Sequence, residues 1–170
     1  HMDDQVETML LRLGRGSGLT GLCAMRTYRP PLWRPLLSML KAEILAALQA
    51  EAIPYCTDAS NESMDYARNR TRKILEALED IHPRFVKNAA RSAGISHGEE
   101  DLLQSLARGT RADLLPEEGL DAVAWQKLHP ALGARVLRLY AQSVGLTQGL
   151  YAVHSEGLEA LCRGSSGRQM

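Results

Sequence analysis

Apolar residues return at helical spacing along most of this chain, and that spacing does most to restrict its fold. Val6, Leu10 and Leu13 stand at i, i+4 and i+7, with Met9 beside them. Ile74, Leu78 and Ile81 repeat the interval, and Leu128, Leu132, Val136 and Leu139 extend it near the other end. Such a stripe lines one face of an α-helix. The pattern predicts helices over about Asp3–Gly14, from an N-cap at Ser38 through Ala52 (Ile44, Leu45 and Leu48 inward), and over Met64–Ile81. Pro83 suits the first turn of a further helix carrying Phe85, Val86, Ala89 and Ala90, interrupted at Gly94–Gly98 and resumed over Glu99–Arg108. Gly109–Gly119 reads as a loop, Asp121–Gly145 as helix split before Pro130, and Val153–Cys162 as a last short helix before a polar, fraying tail.

Two stretches resist that pattern. Pro30, Pro31 and Pro35 exclude helix from Tyr28–Pro35, because proline and the residue before it favour extended backbone. Leu32–Leu37 reads as a short edge strand, and Ile53–Cys56 as a second extended piece. A single Phe amid abundant Leu and Ala argues against a β-sandwich. The fold class is mainly α with one or two short extended segments. A boundary near His82-Pro83 separates a mixed part, residues 1–82, from an all-helical part, 83–170.

Acids and bases balance at 20 each over 170 residues, so net charge points to no polyanionic partner. Cys23, Cys56 and Cys162 are odd in number, widely spaced and outside any metal-ligand pattern, which suits reduced thiols in the cytoplasm. No apolar run approaches a membrane span of about 20 residues. His1-Met2 reads as an expression-vector scar, so the chain is expected to be cut from something longer.

Two charged clusters stand out. Asp4 and Glu7 are i, i+3, and Asp3 and Glu7 are i, i+4, so the first helix opens with three carboxylates on one side. They suit Mg²⁺ shared with phosphates or an ammonium group, and equally plain complementation of the helix dipole. In Arg68-Asn69-Arg70-Thr71-Arg72-Lys73, Arg68 and Arg72 share a face while Arg70 and Lys73 point elsewhere. An Arg pair on a packed helix forks onto phosphates or carboxylates, and a solvated, salt-bridged face is the alternative. The polar turn Asp58-Ala59-Ser60-Asn61 precedes it, and Arg111, Arg135 and Arg138 offer phosphate contacts or surface cover further on. His82, His97, His129 and His154 have no partner in sequence and read as structural or exposed. No G-x-S-x-G or Walker loop occurs.

The run Asp3-Asp4-Gln5-Val6-Glu7-Thr8, Arg12, Arg15-Gly16-Ser17-Gly18, Gly21-Leu22 and Met25 resembles the block after the histidine pair of tRNA-isoleucine lysidine synthetases, members of the PP-loop ATP pyrophosphatases. Arg34-Pro35-Leu36-Leu37 with Lys41 and Glu43-Ile44 resembles their next block, and Asp58–Asn61 followed by Arg68–Arg72 their third. The resemblance implies an ATP-dependent ligase that adenylates the wobble cytidine of an isoleucine tRNA and joins lysine to it. Asp4 and Glu7 would then be catalytic, facing lysine, and Asp3 would bind Mg²⁺. Arg68, Arg72 and Arg15 would contact ATP, and Arg70, Lys73, Arg135 and Arg138 the tRNA.

The family's Ser-Gly-Gly-x-Asp-Ser loop and most of its parallel sheet have no counterpart here, and only His1 stands near the histidine pair. Residues 1–82 would be the C-terminal part of a truncated α/β PP-loop domain, and 83–170 the helical domain after it. Alone, the fragment is expected to be inactive and to self-associate through the apolar face of its first helix and exposed strand edges. A non-enzymatic helical module binding RNA or protein, or another PP-loop tRNA-modifying enzyme, are the competing readings.

Overall fold

The computed structural model describes residues 1–56, 67–114 and 119–146, with isolated positions 157, 160, 162 and 164. The Asp58–Asn61 turn and most of the helix expected at Val153–Cys162 lie outside the described residues. The fold is mainly helical. Helix α1 spans Met2–Leu13, α2 Leu19–Leu22, α3 Lys41–Ala50, α4 Ala67–Ile81, α5 Phe85–Leu114, α6 Ala122–Trp125 and α7 Pro130–Ser143. Strands β1 (Tyr28–Arg29) and β2 (Leu32–Trp33) pair antiparallel across the Pro30-Pro31 turn, and a 3-10 turn follows at Pro35–Ser38. The Leu32–Leu37 stretch is thus strand only at its start, since Pro35 begins the 3-10 turn. The chain divides into two compact units, His1–Gly98 and Glu99–Met170.

In the first unit, Val6, Leu75 and Val86 form the buried centre, flanked by Met2, Leu10, Leu40, Phe85, Ala89 and Ala90. The apolar face of α1, expected to be exposed, is therefore covered by α4 and the start of α5. Val6 is fully buried, while Leu13 at the end of the same face is 53% exposed.

The stripe expected on α4 is also displaced. Ile74 is 56% exposed and Ile81 81%, whereas Leu75 is buried. Leu75 shares its face with Arg68 and Arg72 at i, i+4 and i+7, so arginines and core contact lie together rather than on opposite sides. The reason is a buried carboxylate on α1, which draws that face inward.

Ser38 does not cap α3. The N-cap is Leu40, whose N–H donates to Glu43 Oε2 (2.8 Å), while Lys41 N–H donates to Asp3 Oδ2 of α1 (2.9 Å). A carboxylate from another helix thus satisfies an orphan donor of α3. Gly16, at φ +74°, turns the chain out of α1, and Arg12 donates to the carbonyl of Ala24 (2.8 Å) to hold the following turn.

Neither Gly94–Gly98 nor Gly109 interrupts α5, which runs unbroken to Leu114. Glycine lowers helix stability by about 1 kcal/mol relative to Ala without ending a helix that tertiary contacts support. In the second unit, Ala107, Trp125, Val136 and Leu137 are buried, with Leu128, Leu132 and Leu139 packed against them as the spacing predicted. Trp125 Nε1 donates to the carbonyl of Gly133 (3.0 Å), so the indole lies directly on α7.

Candidate functional site

Helices α1 and α4 meet through charge. Glu7 sits in the core of the first unit at 1% exposure, and a carboxylate that deep is costly unless it is paired and hydrogen-bonded. It is paired twice. Arg68 Nε donates to Glu7 Oε2 and Arg72 Nε to Glu7 Oε1, each at 2.8 Å. Arg68 also reaches Asp4 Oδ1 through Nη2 at 2.8 Å. Asp4 Oδ2 accepts from the backbone nitrogen of His1 at 3.1 Å, within the cap of α1. Arg72 Nη1 donates to Asn69 Oδ1 (3.3 Å), which ties the second arginine to its own helix.

The side chain of Arg68 is 49% exposed and that of Arg72 28%, against 2% for Glu7, so the cluster is a buried anion roofed by two cations that reach solvent. The hydrogen bond that Arg68 donates to Glu7, with Asp4 and Glu7 charge adding to it against burial, raises the Arg68 guanidinium above its ordinary value. Arg68 remains a cation at any pH at which the protein is handled.

The structure thus brings together Asp4, Glu7, Arg68 and Arg72 and leaves the other expected site residues apart. Asp3 turns to Lys41 and to His1 Nδ1 (3.3 Å). Asp3 thus serves the helix start of α3, and among the described residues no group of three or more His, Cys, Asp or Glu is placed to hold a metal ion. Arg15 is exposed beyond α1, and Arg70 and Lys73 are exposed on α4.

In the second unit, Arg135 departs from its expected phosphate contact. It pairs with buried Glu100 and donates to the carbonyl of Ala131 (2.8 Å), with only 11% of its side chain exposed. Glu100 supplies the physical reason, because it would otherwise be an uncompensated buried charge. Arg138, one helical turn on, is partly exposed.

Two features were not legible in the residues. Gln5 grips the backbone of Met25 from both sides, its Nε2 donating to the carbonyl and its Oε1 accepting from the N–H, each at 2.7 Å. His97 Nε2 approaches the same carbonyl at 3.4 Å. Together they form the floor of an open hollow of about 300 Å³, which Thr27, Tyr28 and Gly94 also line. His97 belongs to this hollow, and a separation of 72 positions from Met25 conceals that in the sequence.

Residues 1–78 match the PP-loop domain family, so both halves of the carboxylate–arginine cluster fall inside the matched region. A tRNA(Ile)-lysidine synthase of Pseudomonas aeruginosa is 41% identical over 144 residues, covering 81% of this chain and 32% of the relative. The chain is similar to the tRNA(Ile)-lysidine synthases over most of its own length. The synthase of Burkholderia mallei is 39% identical over 86% of this chain and 32% of its own length, and that of Xanthomonas campestris pv. campestris 36% over 92% and 38%. The chain therefore spans about a third of the length of the curated relatives it matches.

Proposed function

We propose that this chain is part of an ATP-dependent tRNA-modifying ligase that makes lysidine in an isoleucine tRNA. The observation that carries the reading is the Asp4–Glu7–Arg68–Arg72 cluster, inside the PP-loop match of a chain similar to tRNA(Ile)-lysidine synthases. In the reaction proposed, the C2 oxygen of the wobble cytidine attacks the α-phosphate of ATP and pyrophosphate leaves. The lysine side-chain amine then bonds to C2, AMP departs with that oxygen, and the amine gives up a proton.

The cluster has the chemistry for two of these tasks. Asp4 turns a carboxylate to the edge of the cluster, where its Oδ1 accepts from Arg68, and a carboxylate is what binding of a lysine ammonium requires. Glu7 orients Arg68 and Arg72, whose cationic edges reach solvent, where they stabilise charge developing on a phosphate. Arg15, Arg70 and Lys73 are exposed cations, and Arg138 a partly exposed one, for phosphate contacts with ATP or tRNA. Mg²⁺ does not fit the cluster. Both Glu7 oxygens and Asp4 Oδ1 accept from arginine, and Asp3 Oδ2 accepts from Lys41.

On this reading residues 1–82 complete a PP-loop catalytic domain, 83–170 form the helical domain after it, and the enzyme works in the cytoplasm. No described helix is long and apolar enough to cross a membrane.

The test compares the purified chain with a hybrid that places it behind the N-terminal part of the Pseudomonas aeruginosa relative. With ATP, lysine and an isoleucine tRNA transcript, the chain alone should release no pyrophosphate. The hybrid should incorporate lysine, and Glu7→Gln in it should lower the rate about a hundredfold. A hybrid that folds and binds ATP but incorporates no lysine would sink the proposal.

A further inference from the structure

The β1–β2 hairpin presents aromatic rings that the core does not use. Tyr28 pairs directly with Trp33 across the hairpin, and directly opposed residues of an antiparallel pair place their side chains on one face. Both rings are exposed, Tyr28 at 63% and Trp33 at 71%. Arg34 N–H closes the hairpin base on the carbonyl of Thr27 at 2.7 Å, so the pair is presented on hydrogen-bonded backbone. Tyr28 is also one wall of the hollow floored by Gln5, Met25 and His97.

The local charge is one-sided. Between Glu7 and Glu43 the chain carries Arg12, Arg15, Arg26, Arg29, Arg34 and Lys41 and no Asp or Glu, although the whole chain is neutral. Arg26 and Arg34 flank the aromatic pair in sequence, and Arg29 lies between its members. Exposed rings set among cations are what a single-stranded nucleic acid needs, because each base has a face to stack and each linkage a phosphate to neutralise.

We propose that the hairpin is a stacking site for unpaired RNA nucleotides, with one base on the Tyr28/Trp33 face and the hollow beside Tyr28 open to a neighbouring base. The inference rests on the reading of the chain as part of an RNA-modifying enzyme and names a surface of it separate from the carboxylate–arginine cluster. Charge complementarity favours RNA over an apolar protein partner, which would have no use for the cations Arg26, Arg29 and Arg34 in and beside the hairpin.

The experiment measures binding of a short single-stranded oligoribonucleotide, its duplex and free mononucleotides to the intact chain by fluorescence anisotropy and Trp quenching. The variants are Tyr28→Ala/Trp33→Ala and Tyr28→Phe/Trp33→Phe, and circular dichroism checks their folding. The single strand should bind more tightly than the duplex or the mononucleotides. The alanine pair should weaken it about tenfold or more without changing the salt slope, and the phenylalanine pair should restore it. Unchanged binding by the alanine pair, equal loss in the phenylalanine pair, or mononucleotides binding as tightly as the strand overturns the inference. So does an alanine pair that changes only the sedimentation mass, which marks a protein interface. Retained tRNA binding with silent aromatic variants removes the hairpin site and leaves the ligase reading. A stacking site in a hybrid that makes no lysidine does the reverse.

Discussion

Glu7 and Arg72 lie 65 residues apart and share a 2.8 Å hydrogen bond at the centre of the first unit. Arg68 completes the arrangement on the other carboxylate oxygen. The contact is a packing element as much as a candidate site, because it sets which face of α4 turns toward α1.

Removing the anion should therefore cost stability as well as activity. Glu7→Ala leaves two arginines facing a vacated core position, and the expected loss is about 2–3 kcal/mol. That falls below the range of about 3–5 kcal/mol for fully buried pairs because Arg68 is half exposed to solvent. Arg72→Ala should cost more than Arg68→Ala, since Arg72 is the more buried partner. Urea unfolding of the three variants checks the order. Equal midpoints for Glu7→Ala and the parent chain would contradict the packing role.

Two helical glycines should respond oppositely to the same substitution. A Cβ at Gly133 would lie 3.2 Å from Trp125 Nε1 and 3.3 Å from Cε2, whereas one at Gly94 meets nothing within 4 Å. Gly94→Ala should stabilise by about 0.5–1 kcal/mol through helix propensity. Gly133→Ala sets a similar gain against a displaced indole and its hydrogen bond, and should destabilise by about 1 kcal/mol net. Thermal unfolding with near-ultraviolet dichroism of Trp125 tests both, and a stabilised Gly133→Ala would refute the close-approach account.

Glu79 gives the first unit a pH dependence of defined sign. Burial first, then the charges of Asp3 and Asp80, push its carboxyl above the ordinary value. The folded state therefore holds this proton more tightly than the unfolded chain does. The associated stability is present below the ordinary carboxylate range and is lost as pH rises through the raised value. Glu79→Gln, which keeps the side chain neutral, should raise the melting temperature at pH 7 and leave it unchanged near pH 3. A variant that melts lower than the parent at pH 7 would show that the charged form is the stabilised one.

Helices α1 and α7 could be read from the residues because their periodicity is local, and the proline run ruled out helix over Tyr28–Pro35 for an equally local reason. The continuity of α5 could not. Gly94, Gly98 and Gly109 weaken a helix in isolation, and only packing of its apolar side decides that it continues. The pairing of Asp4 and Glu7 with Arg68 was within reach as two clusters of opposite sign, but nothing local says that they meet. The Ser38 cap failed because the acceptor that starts α3 comes from Asp3, on another helix. Arg135 failed because Glu100, 35 residues earlier, takes its charge.

The sequence by itself determined the helical character of this protein, the place of its hairpin and the similarity of its first 78 residues to PP-loop domains, since spacing, proline geometry and ordered motifs are properties of neighbouring residues. Tertiary structure alone decided which charges are spent on one another and which face of α4 is inward. A buried carboxylate must find its cations wherever the fold brings them, and that requirement carries no signal along the chain.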